Sequence, residues 1–134
     1  MTGSLVYLDS SAIVKLVVRE PESPALFEWL GPWPHRVSSV VARVEVFRAL
    51  RRAGFTGAPV RERAVNVLDR IGLLAVDRAV VDAATELEPA ELRSLNAIHL
   101  ATALSVGADL AGLVTYDERL AAAARARVAV WAPS

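Results

Sequence analysis

The chain contains no cysteine, which excludes disulfide bonds and thiolate metal sites and fits the reducing conditions of the cytoplasm. It also lacks an apolar run near the ~18 residues that a membrane-spanning helix needs. The longest candidate, residues 37–46, is interrupted by serine, arginine and glutamate. No basic segment precedes an apolar one at the N-terminus, so we expect no signal peptide. A cytoplasmic protein without membrane attachment is the expectation.

Neither sign of charge is in excess, because 15 basic and 15 acidic residues cancel. Proteins that bind nucleic acid mainly through phosphates are usually basic, but the distribution of charge matters more than its sum. Lysine is nearly missing: the basic residues are 14 arginines and Lys15. Arginine suits bidentate contacts to phosphate or carboxylate better than lysine does. The composition therefore leaves nucleic-acid binding open.

Apolar side chains are abundant, at 54% of the 134 residues with a mean hydropathy of +0.36, which predicts one domain, residues 1–134, with a sizeable core. Short apolar runs alternate with segments of helical periodicity. The predicted strands are 4–8, 36–38, 73–76, 113–115 and 128–130, and the predicted helices are 10–18, 25–30, 39–53, 60–71, 78–87, 94–106 and 117–125. This alternation predicts an α/β fold: a three-layer α/β/α domain with a parallel sheet of four or five strands.

Two aspartates, Asp9 and Asp117, each stand where a predicted strand passes into a helix. Aspartate is among the best helix N-caps, so capping alone explains either of them. Glu45 lies inside the helix at 39–53, where pairing with Arg48 is an equally ordinary role. Asn96 would by itself be a neutral residue near a helix start.

Together these four residues predict more than capping. Ligands of open α/β sheets bind at the carboxyl ends of the strands, where two strand-end carboxylates and Glu45 from the adjacent helix can converge. Such a cluster of like charges is unfavourable unless a cation neutralises it. Mg²⁺ and Mn²⁺ prefer oxygen ligands, and with a phosphodiester they provide nuclease chemistry. We therefore expect Asp9, Glu45 and Asp117 to be metal ligands and Asn96 to be a fourth, weaker position.

Four segments in order resemble the motifs of PIN domains, and more narrowly those of VapC-type toxins of bacterial toxin–antitoxin pairs. They are Leu8-Asp9-Ser10-Ser11, Ser38-x6-Glu45-Val46-x-Arg48-Ala49-Leu50, Leu95-Asn96-Ala97-Ile98-His99-Leu100-Ala101-Thr102-Ala103 and Thr115-Tyr116-Asp117-x2-Leu120-x2-Ala123. The resemblance covers essentially the whole chain. It implies a ribonuclease that depends on Mg²⁺ or Mn²⁺ and is held inactive by a VapB-type antitoxin, with its acidic positions at Asp9, Glu45, Asn96 and Asp117. We also expect a homodimer.

The sequence departs from that family at Asn96, where the motif has aspartate. An asparagine keeps an oxygen that can orient water or touch a metal, but it removes one negative charge. The departure fits a natural variant, a member that has lost activity, or an inactivating substitution. A catalytically weakened or inactive protein that only binds RNA or antitoxin is therefore the alternative function.

Two other α/β classes place acids at strand ends but fit less well. A phospho-acceptor receiver domain needs a lysine near the end of its last strand, and the chain's single lysine, Lys15, lies in the first predicted helix. A haloacid-dehalogenase-type phosphatase would have a second aspartate two residues after Asp9, where Ser11 stands.

Further side chains near the predicted crevice have both an ordinary role and a functional one. Four hydroxyl side chains serve either as caps or as hydrogen-bond donors around the carboxylates: Ser10, Ser11, Ser38 and Thr115. His99, one helical turn after Asn96, is either a satisfied buried histidine or a contact of the site. Arg48, with the two arginines that follow it, is either a solvated face or a track for an RNA backbone. Trp29 and Trp33 either seal the second helix or line a groove for a partner helix.

Overall fold

The computed structural model describes residues 3–134, which form five strands and seven α-helices. The strands are β1 (Leu5–Leu8), β2 (His35–Ser39), β3 (Gly72–Leu74), β4 (Leu110–Val114) and β5 (Ala129–Trp131). The helices are α1 (Ser10–Val17), α2 (Ser23–Leu30), α3 (Val40–Arg52), α4 (Ala58–Asp69), α5 (Arg78–Thr85), α6 (Ser94–Ser105) and α7 (Glu118–Ala124). The five strands lie in the order β3-β2-β1-β4-β5, and every neighbouring pair is parallel. The predicted α/β/α architecture is confirmed.

The sheet has an apolar core on each face because consecutive β1 side chains point to opposite sides. Val6 and Leu8 pack with helices α1 to α4, whereas Tyr7 packs with Leu113 and with helices α6 and α7. The chain moves from β1 to β3 in one direction and then returns to β4. Right-handed crossovers place the helices of the two halves on opposite faces. The direction in which strands are added to the sheet therefore reverses between β1 and β4. Ligands of such sheets bind at this point, at the carboxyl ends of the strands.

Three residues at or shortly after the ends of strands cap the helices that follow. The carboxylate of Asp9 accepts a hydrogen bond from the backbone N–H of Ala12, and Asp117 accepts two from the start of α7. The hydroxyl of Ser39 accepts one from Val41 and so caps α3. The capping roles of Asp9 and Asp117 are confirmed, and each cap fixes its residue at the carboxyl edge of the sheet.

The inward face of α3 differs from the prediction. Leu50 is buried as expected and Val41 and Phe47 are half-buried, but Val40 and Val44 are 42% and 60% exposed. Ala42 and Val46 point inward instead. A buried stripe at 42, 46 and 50 follows the four-residue spacing of a helix face, and the small Ala42 lets α3 approach the sheet closely. The valine-rich side of α3 is consequently open to solvent beside the carboxyl edge of the sheet.

Strand boundaries also shift at β3 and β4. β4 begins at Leu110 rather than 113 and ends before Thr115, and β3 covers 72–74 rather than 73–76. Ala111 and Gly112 weaken the apolar pattern at the start of β4, where the pairing with β1 is also irregular: Leu5 pairs with Leu110 and Val6 with Gly112, so the register skips Ala111. At Gly112 a Cβ atom would lie 2.4 Å from Cζ3 of Trp131 and 2.6 Å from the carbonyl oxygen of Ala129. Glycine therefore lets β5 pair closely with β4 while the indole of Trp131 lies against Gly112.

The three tryptophans of the chain form one cluster. The rings of Trp29 and Trp33 stack with their centroids 5.8 Å apart, and Trp131 lies 5.0 Å from Trp29 and 6.2 Å from Trp33. All three are half-buried and pack against the core on the α1–α4 face. They seal the junction of α2 with the sheet, which is the first of the two roles predicted for Trp29 and Trp33.

Candidate active site

Asp9 is the buried centre of the carboxyl edge, with 2% of its surface exposed. Its Oδ1 accepts hydrogen bonds from the Ser11 hydroxyl at 2.6 Å and from the Ala12 N–H at 3.1 Å, and its Oδ2 accepts one from the Thr115 hydroxyl at 2.5 Å. Burial raises the pKa of Asp9, while these hydrogen bonds oppose the rise. The negative charge of the ionised carboxylate is therefore only partly stabilised by its neighbours, a condition that favours a bound cation.

Thr115 joins the two strand-end aspartates through a single hydroxyl. Its Oγ1 donates to Asp9 and accepts the backbone N–H of Asp117 at 3.0 Å. Asp117 Oδ1 is occupied by the N–H groups of Arg119 and Leu120, at 2.9 and 3.1 Å. The β1 and β4 ends thus form one hydrogen-bonded unit at the place where the chain reverses.

Helix α6 brings Asn96 and His99 to this unit from the other face of the sheet. Asn96 Nδ2 donates to Asp117 Oδ2 at 3.3 Å. His99 lies one turn further on and is 1% exposed. Its Nε2 is 2.5 Å from Glu45 Oε1, and its Nδ1 is 2.7 Å from the hydroxyl of Tyr7. His99 is thus a satisfied buried histidine that also contacts the site.

Glu45 pairs with His99 rather than with Arg48, the partner considered from sequence. A neutral histidine that carries its proton on Nε2 satisfies both contacts, because Tyr7 then donates to Nδ1. Burial raises the pKa of Tyr7, so its hydroxyl stays protonated and able to donate. Tyr7 and His99 together hold the Glu45 carboxylate at the rim of the crevice.

The serines predicted for this region have separate positions. Ser11, rather than Ser10, donates to Asp9, and its hydroxyl also accepts the N–H of Tyr116 at 2.9 Å. Ser10 lines the open groove beside the site. Ser38 is fully buried near Tyr7, and its hydroxyl has no hydrogen-bond partner in residues 3–134. Because Ser38 is fully buried, it has no surface for RNA to contact and lies in the interior next to Tyr7.

A magnesium or manganese ion is compatible with part of the predicted ligand set. Within residues 3–134, no three histidine, cysteine, aspartate or glutamate side chains are grouped closely enough to hold a metal. Glu45 is turned to His99, whereas Asp9 and Asp117 are joined through Thr115. Mg²⁺ is commonly held by one or two carboxylates, with water and substrate phosphates completing its shell. The carboxylate oxygens of Asp9 and Asp117 fit that arrangement. A cage of three carboxylates is absent from residues 3–134.

An open groove of about 730 Å³ leads to the site between α1, α3 and the start of α6. Three basic side chains line it, Lys15, Arg48 and Arg52, together with Glu45 and Tyr116. Lys15 pairs with two glutamates of the chain and lies 4.7 Å from the centre of the Tyr116 ring. Exposed Val44 and Leu95 form an apolar part of its wall. The groove therefore offers cationic and apolar contacts beside an acidic centre.

We expect Thr115→Val to lower any activity of the crevice by about 10- to 100-fold, the usual loss when an outer partner of a ligand is removed. Valine keeps the shape of threonine but cannot donate to Asp9 or accept from Asp117. Thr115→Ser keeps the hydroxyl and should retain most of the activity. Rates of the two variants at limiting Mn²⁺ provide the test; equal rates would show that the hydroxyl does not organise the site.

Comparison with known proteins gives a consistent result. The PIN domain family model matches residues 6–126. Ribonuclease VapC46 of Mycobacterium tuberculosis is 54% identical over 130 residues, covering 96% of this chain and 98% of that protein. Ribonuclease VapC35 of the same organism is 44% identical over 137 residues, covering 96% and 97%. Ribonuclease VapC47, also from M. tuberculosis, is 39% identical over 125 residues, covering 90% of each.

Two solved structures share the fold at low sequence identity. A toxin–antitoxin complex from Klebsiella pneumoniae superposes with a TM-score of 0.70 at 19% identity and covers 96% of this chain and 98% of that one. M. tuberculosis VapC20, a toxin that cleaves the sarcin–ricin loop, has a TM-score of 0.70 at 17% identity and covers 88% and 94%. At these identities the two structures support the fold of the chain.

Proposed function

The chain belongs to the PIN-domain family, in its VapC group, and from that premise we propose that it is an endoribonuclease toxin that depends on Mg²⁺ or Mn²⁺. The observation that carries the proposal is the unit of Asp9, Thr115 and Asp117 at the reversal of the sheet. The ribonuclease names of relatives that match nearly the full chain support RNA as the substrate.

In this proposal Asp9 and Asp117 hold the metal, which when bound would polarise the scissile phosphate and lower the pKa of water. Ser11 and Thr115 fix the orientation of Asp9, and Thr115 also fixes the backbone of Asp117. Asn96 restrains Asp117 Oδ2 through its amide. The role of these neighbours is to keep two negatively charged groups in place before substrate arrives.

Glu45 has a role in the same proposal that differs from those of Asp9 and Asp117. Its Oε1 is taken by His99, and its Oε2 has no hydrogen-bond partner in residues 3–134. That oxygen is the atom available to accept a hydrogen bond from the attacking water. Hydrolysis adds the water oxygen to phosphorus and releases a ribose oxygen, which takes a proton. We place Glu45 as the group that orients the water, with His99 and Tyr7 positioning it.

We further propose that a VapB-type antitoxin neutralises the protein by placing an arginine or lysine near Asp9 and Asp117. From the sequence, such a partner is also expected to lay apolar residues near Trp29 and the adjacent Leu30. Leu30 is only 1% exposed and Trp29 is packed among the other tryptophans, so Leu30 has no surface to offer. The exposed Val44 and Leu95 beside the groove suit that contact better. The homodimer and the cytoplasmic location remain predictions; none of the helices in residues 3–134 has the length and hydropathy to cross a membrane.

Asn96 favours the second candidate function, a weakened or inactive binder. Restoring aspartate should strengthen Mn²⁺ binding and increase cleavage by a larger factor than binding, because a charge is added beside the metal position. It should also make the metal-free protein slightly less stable, since the amide donor 3.3 Å from Asp117 Oδ2 becomes a second carboxylate.

The decisive experiment assays the native chain and Asn96→Asp on one RNA over a range of Mn²⁺, with a chelator as the metal-free control. Cleavage by the native chain that a chelator stops supports the enzyme. Cleavage by Asn96→Asp alone identifies the native chain as a binder. Equal cleavage at limiting metal would show that residue 96 plays no part in catalysis.

A further inference from the structure

Five exposed arginines concentrate positive charge on the outer side of α3 and α4, and none forms an ion pair within residues 3–134. They are Arg43, Arg48, Arg51, Arg52 and Arg61, which we call the arginine face. Several other cations are already engaged: Lys15 pairs with two glutamates, and Arg36 and Arg63 donate to backbone carbonyls. Five such arginines on two neighbouring helices make this face locally basic in a chain of zero net charge, which indicates an anionic partner.

Aromatic rings lie among these arginines. The ring of Phe47 is flanked by two guanidinium groups, Arg61 at 4.8 Å and Arg43 at 5.6 Å from its centroid. Phe55 is 45% exposed in the turn between α3 and α4. Its N–H is bonded to the Leu50 carbonyl at 2.9 Å, which fixes the residue at the tip of the turn. Arginine next to exposed aromatic rings is the combination that binds single-stranded nucleic acid, by backbone contact and base stacking.

A cavity of about 350 Å³ lies between these rings and has no acidic residue in its lining. Arg51, Phe55 and Arg61 line it, and Arg48 lines both this cavity and the groove that leads to Asp9. The two recesses therefore lie next to each other along α3, with Arg48 between them. A strand whose scissile phosphate lies at the crevice passes Arg48 before it reaches Phe55.

We propose that the arginine face binds the single-stranded RNA that flanks the cleaved bond, with arginines on the phosphates and Phe55 stacked on a base. This inference rests on the proposed function, because it assigns the path of that enzyme's substrate. An acidic segment of the antitoxin would use the same charges but has no need of an exposed phenylalanine. Positive charge, the exposed Phe55 and a position next to the groove together favour RNA.

The test measures binding of a fluorescently labelled single-stranded RNA of about a dozen nucleotides by anisotropy, with a chelator present to prevent cleavage. Each phosphate contact contributes about 0.7 to the slope of log K against log salt. The double variant Arg51→Gln, Arg61→Gln should therefore reduce that slope by about 1.4. Phe55→Leu should weaken binding about tenfold without changing the slope, because stacking is not a charge effect.

The matched control is Arg125→Gln, Arg127→Gln, which removes two exposed arginines after α7, away from α3 and α4. It should leave both affinity and slope unchanged. An equal loss in this control, or an unchanged slope in the Arg51, Arg61 variant, would overturn the proposal. If the face variants weaken inhibition by the antitoxin but leave RNA binding intact, the face belongs to the antitoxin and the proposal is again wrong.

A cleavage assay separates this inference from the proposed function. With Mn²⁺, the face variants should cut a dinucleotide as fast as the native chain, because that substrate is too short to reach Phe55, but should cut the long RNA more slowly at low concentration. A native chain that cuts neither substrate refutes the ribonuclease, while the salt slopes still decide whether the face binds RNA. Equal loss on both substrates contradicts the assigned path.

Discussion

Asp9→Asn is expected to reduce RNA cleavage by at least about a hundredfold and, in the same protein, to raise thermal stability. Loss of activity follows because the proposed metal loses the charge of its central ligand; loss of a mere outer partner already costs 10- to 100-fold. The gain in stability follows because Asp9 is buried and its pKa is raised. Asparagine retains the cap oxygen for Ser11 and Ala12, and its amide can donate to the Thr115 hydroxyl, which has two lone pairs.

The pH dependence of this difference can be predicted in sign. A carboxyl group whose folded pKa exceeds its unfolded one contributes its full stability below the unfolded value, about 4, and loses it as pH rises through the folded value. The native chain should therefore melt below Asp9→Asn at neutral pH, and the two melting temperatures should converge as the pH falls toward 4. Mn²⁺ should raise the melting temperature of the native chain alone, by mass action.

Asp77→Asn is the matched control for that experiment. Asp77 caps α5 by accepting the N–H of Val80 at 2.9 Å, as Asp9 caps α1, but it is exposed and remote from the crevice. It should leave cleavage and the metal response unchanged. A metal-induced rise in melting temperature that survives in Asp9→Asn would remove Asp9 from the proposed ligand set.

Gly112→Ala is expected to cause the largest loss of stability of any single methyl group added to the sheet. The new Cβ would lie 2.4 Å from the Trp131 ring and 2.6 Å from the Ala129 carbonyl oxygen. The ring can turn, but the oxygen belongs to the backbone of β5, which pairs with Gly112 directly. Overpacking of a filled site costs roughly 1–3 kcal/mol, and a backbone clash places this change at the upper end or above it.

The test compares the free energies of unfolding of Gly112→Ala and Gly72→Ala, both measured in urea. Gly72 is also a strand glycine, but a Cβ there would lie 3.5 Å from Val37 Cγ1, which is ordinary contact. Gly72→Ala should stay close to the native chain. Shortening the ring, as in Trp131→Leu, should recover little in the Gly112→Ala background, because the Ala129 oxygen remains. Full recovery would show that the ring alone sets the requirement for glycine.

The parts of the fold that local sequence determines were predictable. Asp9 and Asp117 follow short apolar runs and precede helical spacing, so both the strand ends and the helix starts could be read from a few residues. The parallel sheet followed from the alternation of the two patterns. The exposed side of α3 could not be read in this way, because Ala42 and Val46 form as regular a stripe as Val40 and Val44. Only the position of the sheet decides which stripe is covered.

The arrangement of the site depends on contacts between distant parts of the chain. His99 and Glu45 are 54 positions apart, and Tyr7 and His99 are 92 apart. Arg48, only three residues from Glu45, therefore looked the more natural partner. The hydroxyl of Tyr7 gave one available signal, since a buried phenol within an apolar strand needs a hydrogen-bond partner. Thr115 was placed beside Asp117 by sequence, but its link to Asp9 depends on β4 lying next to β1.

The tryptophan cluster makes intrinsic fluorescence a local probe of this protein. Because Trp29, Trp33 and Trp131 lie together, all indole emission arises from one location, where α2 meets the last strand. Trp131 is also the last residue of β5, and its backbone carbonyl accepts the N–H of Thr115 at 3.1 Å. A red shift in emission therefore reports detachment of β5, and with it the loss of one backbone restraint on Thr115.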